Sequence, residues 1–88
     1  MNYTIKIEKK AEKFLKKVPT KDLLKLIQVI DALAENPRPR WVEKIKGTKE
    51  SIYRLAWGNY RILYTIVDDK LLVIVVDVND RKDVYKNL

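Results

Sequence analysis

Residues 52–80 read IYRLAWGNYRILYTIVDDKLLVIVVDVND, and this stretch decides the fold. β-branched and aromatic residues dominate it, and it is punctuated twice, by Gly58-Asn59 and by Asp68-Asp69-Lys70. Gly-Asn is a two-residue hairpin signal, so 52–57 and 60–67 are expected to pair, with 71–79 as a third strand. A two-residue loop puts Trp57 opposite Tyr60, Leu55 opposite Ile62 and Tyr53 opposite Tyr64. Because side chains alternate, these six share one apolar face. The other face then receives Ile52, Arg54 and Ala56 from one strand and Arg61, Leu63 and Thr65 from the next.

For the third strand the costly residue is Asp77, whose carboxylate cannot be buried unpaired. A three-residue turn at 68–70 keeps it out of the core. It sends Leu72, Ile74 and Val76 inward and Val73, Val75, Asp77, Asn79 and Arg81 to the open face, with Asp77 opposite Arg61. Three arginines, Arg54, Arg61 and Arg81, thus gather on one face. Each guanidinium presents fixed donors that hold phosphoryl oxygens bidentately. The plainer alternative is that each pairs with an acid or reaches water at the sheet edge.

Upstream the periodicity changes. Residues 3–8, YTIKIE, alternate and predict a short strand with Tyr3, Ile5 and Ile7 inward. Ala11, Phe14, Leu15 and Val18 then form a helical stripe, ended by Pro19. Thr20 is the expected N-cap of a second helix, whose apolar stripe is Leu23, Leu26, Ile27, Ile30, Leu33 and Ala34, stopped at ENPRP. So short a turn makes the two helices an antiparallel hairpin, and the six-residue apolar face of the sheet is its natural floor. Residues 37–50, PRPRWVEKIKGTKE, read as a loop or irregular edge. The expectation is one α+β domain over 1–88, an antiparallel sheet of about four strands in the order β-α-α-β-β-β, with the helical hairpin on one face.

The chain has 88 residues, 19 basic and 12 acidic, for a formal charge of +7. Residues 1–50 carry 13 basic and 7 acidic residues, so +6 of the +7 lies outside the strand region. Such an excess attracts polyanions. There is no Cys and no His, which removes disulfides, thiolate sites and the commonest general base. No metal and no cofactor is expected. The charged start MNYTIKIEKK does not resemble a signal peptide, and no run reaches the ~18 apolar residues of a membrane span. A cytoplasmic protein without a membrane partner is the expectation.

The motifs resemble those of the RelE/ParE superfamily of bacterial and archaeal toxins. The resemblance covers almost the whole chain: LAENPRP at the end of the helical hairpin, KIKG at 44–47, YRLAWGNYRILY at 53–64, and DRKDVY at 80–85, whose Arg81 and Tyr85 lean toward the RelE branch. It implies a sheet backed by two helices and a toxin of a type II toxin–antitoxin system. Specifically, it implies a metal-independent endoribonuclease that cuts messenger RNA in the ribosomal A site, inhibits translation, and is neutralised by a small acidic RelB-like antitoxin. Residue by residue, it implies catalytic roles for Arg61, Arg81 and Tyr85 and phosphate binding by Arg54; Lys46 and Lys49 are expected to add to substrate binding. Ala56 stands where the best-known members have a second lysine, and Asp80 where many have His, so two candidate acids or bases are missing. The remaining basic residues, Lys9, Lys10, Lys13, Lys16, Lys17, Arg38, Arg40 and Lys44, lie away from the arginine face and are expected on ribosomal RNA backbone. Trp57 and Tyr60 are expected as core or rim. The alternatives are a ParE-like inhibitor of DNA gyrase without nuclease activity and a catalytically weakened RelE homologue.

Overall fold

The computed structural model describes residues 2–45 and 51–80. Its elements are β1 (Thr4–Ile7), α1 (Lys9–Leu15), α2 (Thr20–Glu35), β2 (Glu43–Ile45), β3 (Ile52–Trp57), β4 (Tyr60–Val67) and β5 (Leu72–Asp80), with a 3-10 turn at Asp68–Lys70. The sheet has five strands in the order β1-β5-β4-β3-β2. It differs from the expected four-stranded antiparallel sheet in two ways. β1 pairs with β5 in parallel, Ile5 beside Val73 and Ile7 beside Val75. The segment read as loop contributes β2, antiparallel to β3.

The β3–β4 hairpin has the expected register, Leu55 opposite Ile62 and Tyr53 opposite Tyr64. Gly58 makes it possible with φ of 57°, a left-handed conformation that glycine adopts at little cost. Leu55, Ile62 and Tyr64 are at most 1% exposed and meet Ala11, Leu15, Leu26, Ile30 and Leu33 from the helices. Each fully buried side chain of this size contributes about 1.5–3 kcal/mol by leaving water. The Tyr53 and Tyr64 rings stack at 5.6 Å, and the Tyr64 hydroxyl donates to the Pro37 carbonyl at 2.7 Å, so this fully buried phenol is satisfied.

β5 departs from the expected register, and two local features account for it. The turn is one residue longer than read: Leu71 adopts a left-handed conformation with φ of 48°, and its N–H donates to the Asp68 carbonyl. Leu72 therefore pairs with Val67, and Val73 and Val75, both fully buried, face the helices instead of Leu72, Ile74 and Val76. Between Leu63 and Tyr64 the ladder slips at Val76, where β5 spends an extra residue. That bulge reverses the parity again. Val78 goes inward, and Asp77 and Asn79 return to the open face, where Asn79, not Asp77, stands opposite Arg61.

The helices follow their stripes with one exception. Ala11, Leu15, Val18, Leu26, Ile30 and Leu33 are buried, but Ile27 is 40% exposed, and Leu24 on the same side of α2 is 60% exposed. Pro19, read as the stop of the first helix, is the N-cap of the second, with the Leu23 N–H donating to its carbonyl; Thr20 is the first helical residue. After α2 the chain is fastened by Arg38. Its guanidinium forms two hydrogen bonds to Asp68, at 3.1 and 2.7 Å, and a third to the Tyr53 hydroxyl at 3.2 Å, while the Tyr3 hydroxyl donates to the same Asp68. Asp68 is held below the usual carboxylate range by Arg38 first and Tyr3 second.

Two outcomes check this architecture. Val75→Asp buries an unpaired carboxylate and should unfold the domain at neutral pH, whereas Val76→Asp, at the bulge, should fold; circular dichroism melts of both decide the register. The Tyr60 phenol, buried and donating to Asp22 at 2.8 Å, is pushed up to about 12, first by burial and then by that carboxylate. An unfolded tyrosine titrates near ~10, so this contribution is fully present below that pH and lost as pH rises toward 12. Tyr60→Phe should reduce the fall in melting temperature across that window. Only part of the fall should go, because Tyr3 and Tyr64 are shifted the same way.

Candidate functional site

The face of the sheet away from the helices carries charge because pairing parity puts it there. Arg54 and Ala56 from β3 share it with Arg61 and Leu63 from β4, since Ala56 pairs with Arg61 and Arg54 with Leu63. β2 extends the same face: Glu43 lies opposite Arg54 and Lys44 opposite Tyr53, so Glu43 shares the arginine side and Lys44 falls on the other. Trp41, Glu43, Arg54, Ala56 and Arg61 line one pocket of about 200 Å³.

Within it the two arginines differ. Arg54 forms an ion pair with Glu43, and its side chain is 39% exposed. Arg61 is half-buried, and among the described residues no hydrogen bond or ion pair engages it. Its cross-strand neighbours are the small Ala56 and, on β5, Asn79. The nearby acid Asp77 is turned to Lys10, whose ammonium lies 3.5 Å from it, while Asn79 reaches the same carboxylate at 3.5 Å. The pocket thus holds one unengaged guanidinium, one guanidinium shared with a carboxylate, and an indole at the rim. Such a group can bind a phosphodiester through the cations and accept a proton at Glu43.

Of the residues picked from sequence, Arg54 and Arg61 are brought together. Arg81, Tyr85, Lys46 and Lys49 lie outside the described residues. Lys9, Lys10, Lys13, Lys16 and Lys17 are exposed along and just after α1, with Lys16 beside Glu12 at 3.6 Å and Lys10 on Asp77. Arg40 and Lys44 are exposed, whereas Arg38 is committed to Asp68 and Tyr53. Trp57 and Tyr60 stack on each other at 6.2 Å, Tyr60 buried and Trp57 packed against the core. Glu43 and Trp41 were not singled out from the sequence. A three-residue strand is too short to show a period of two, so nothing upstream signalled that Glu43 pairs with Arg54.

A second concavity lies on the helix side, between α2 and the β3 edge. This groove of about 620 Å³ is lined by Val29, Ala32, Leu33, Leu55 and Trp57, with Trp41 at its rim as well.

Comparison with known proteins agrees with this fold. Residues 5–85 match the family model described as ParE toxin of type II toxin-antitoxin system, parDE. The chain is 31% identical over 90 residues to the RelE1 protein of Methanocaldococcus jannaschii, described as a toxin, with 99% of both chains covered. Its fold is similar to RelE in the RelE–RelB complex of Pyrococcus horikoshii, with a TM-score of 0.81, 28% identity, and 92% of this chain and 97% of that one covered. It is also similar to the isolated RelE toxin of E. coli, with a TM-score of 0.76, 25% identity, and 97% and 93% covered. With the family model spanning nearly the whole chain and RelE proteins as its relatives, the chain belongs to the ParE toxin family of type II toxin–antitoxin systems, within the RelE/ParE superfamily and on its RelE branch.

Proposed function

We propose that this toxin is an endoribonuclease that cleaves messenger RNA in the ribosomal A site and so inhibits translation. The observation that carries the reading is the pocket in which Arg54, Arg61 and Glu43 meet on the helix-free face. Cleavage needs the ribose 2′-oxygen to attack the adjacent phosphorus as the bond to the 5′-oxygen breaks. The transition state concentrates negative charge on the phosphoryl oxygens, where preorganised guanidiniums act most strongly. Arg61, which has no partner to give up among the described residues, meets that charge together with Arg81. Arg54 holds a neighbouring phosphate, and Lys46 and Lys49 add to substrate binding. Glu43 takes the 2′-hydroxyl proton, the role that Ala56 cannot fill, and Tyr85 returns a proton to the leaving 5′-oxygen. The product is a 2′,3′-cyclic phosphate and a free 5′-hydroxyl.

The basic residues on and after α1, with Arg40 and Lys44, lie off this pocket and contact ribosomal RNA backbone. Arg38 contributes there only as far as its pairing with Asp68 leaves donors free. The neutralising partner is a RelB-like antitoxin, the partner named in the similar P. horikoshii complex. Its apolar residues occupy the groove beside α2, and its carboxylates lie near the basic patches.

The nuclease reading is tested by primer extension on messenger bound to ribosomes. Arg61→Ala and Arg81→Ala should each lower cleavage ~10²–10³-fold, as removal of an oxyanion donor does. Glu43→Gln should lower it by at least ~10² at unchanged RNA binding. Arg61→Ala should melt like the parent within about 1 kcal/mol, since the side chain lies outside the helix-packed core and gives up no hydrogen bond or ion pair among the described residues. If the parent cuts nothing on ribosomes yet blocks gyrase supercoiling, the ParE-like reading replaces this one. For the partner, Ala32→Glu in the groove should weaken antitoxin binding by ~10-fold or more, because it puts a charge against apolar surface. Unchanged affinity places the antitoxin elsewhere.

A further inference from the structure

Trp41 is 69% exposed, the most exposed of the large hydrophobic side chains among the described residues. A Trp side chain offers one of the largest areas a small core can bury, so leaving it in solvent forgoes stabilisation that an 88-residue chain can ill spare. Its place is nonetheless fixed. The next residue, Val42, packs against the core and donates its N–H to the Pro39 carbonyl at 3.3 Å; Pro39 is buried, and β2 starts at Glu43. No hydrogen bond engages the indole N–H among the described residues. The exposed ring is therefore presented by a braced turn.

It stands between two concavities, lining the pocket of Arg54, Arg61 and Glu43 on one side and the apolar groove beside α2 on the other. A nucleotide carries its base one sugar away from its phosphate. An aromatic wall beside two guanidiniums therefore has the two parts that single-stranded nucleic acid uses: cations for the backbone and a π-face for a base. The aromatic residues that look suited to this role in the sequence, Trp57 and Tyr60, are stacked on each other on the opposite face. We propose that Trp41 is the stacking platform for the nucleobase next to the phosphate held by Arg54 and Arg61, and so helps to set which nucleotide occupies the site. The inference rests on the reading of that pocket as an RNA phosphate site.

Two readouts separate the stacking from the phosphate site beneath it. In a Trp57→Phe background Trp41 is the sole indole, and its emission reports stacking directly. The probe is a fluorescein-labelled single-stranded hexanucleotide with 2′-O-methyl riboses, which lack the attacking hydroxyl; anisotropy of the label follows binding, and an unlabelled copy is used for the emission measurement. The expected result is quenching of Trp41 that saturates with binding. An abasic probe of equal charge should bind more weakly and leave the emission unchanged. Trp41→Ala should weaken the normal probe ~10- to 100-fold while leaving the abasic probe and the melting temperature unchanged, and Trp41→Tyr should restore most of the loss. Binding without quenching, with Trp41→Ala as good as the parent, overturns the stacking and leaves the arginine pocket standing. No binding of either probe up to millimolar concentration overturns both. If Trp41→Ala weakens only the antitoxin complex, the ring is a protein anchor and the proposal is wrong.

Discussion

The pairing of Leu55 with Ile62 across the Gly58-Asn59 loop is the constraint on which the rest of the molecule depends. Because side chains alternate, this one register decides at once that Tyr53, Tyr64 and Tyr60 meet the helices and that Arg54, Ala56 and Arg61 do not. A slip of one residue would bury two guanidiniums and expose the aromatic cluster, so core and charged face are two readings of the same pairing. The bulge at Val76 serves the same end in β5. Val73 and Val75 are needed in the core at one end of the strand, and Asp77 must be kept out of it at the other; an unbroken alternation cannot satisfy both.

The charged face depends on small residues and deflected acids as much as on its arginines. Ala56 opposite Arg61 leaves room, and Asn79 on its other side brings no charge. Asp77, the acid the sequence suggested as its partner, is two residues further along and drawn to Lys10. Arg38 shows the contrasting case. It carries the same charge and is nearly half exposed, yet three hydrogen bonds to Asp68 and Tyr53 tie it into the link between the end of α2 and the turn before β5. A sequence count of positive charge cannot distinguish these two arginines; their cross-strand neighbours can.

Much of this was legible in the sequence, and the failures share a physical cause. The hairpin register, the inward stripe of β1 and most helix positions came from periodicity over stretches long enough to show it. What escaped depends on one or two residues: Leu71 adding a left-handed step to a turn, an extra residue at Val76, and three residues of β2 pairing at the sheet edge. Ile27 fits the helical stripe of α2 but lies at its margin, where the sheet no longer covers it. The arginine pocket was half legible for the same reason. Arg54 and Arg61 followed from the hairpin, whereas Glu43 and Trp41 arrive from a segment whose pattern carries no period.

The parallel pairing of β1 with β5 has a consequence for how the protein is made. Strand one finds its neighbour only when residues 72–75 exist, and the Tyr3 hydroxyl meets Asp68 across 65 positions of chain. During synthesis the helices and the β3–β4 hairpin consist of local contacts and can form early, but β1 must wait for β5, a closure of high contact order. A chain stopped before β5 leaves Tyr3, Ile5 and Ile7 without their sheet neighbour and the helices without Val73, Val75 and Val78. The folded sheet is therefore withheld until β5 has been made, and a fragment stopped before it carries Arg54 and Arg61 without the scaffold that aims them.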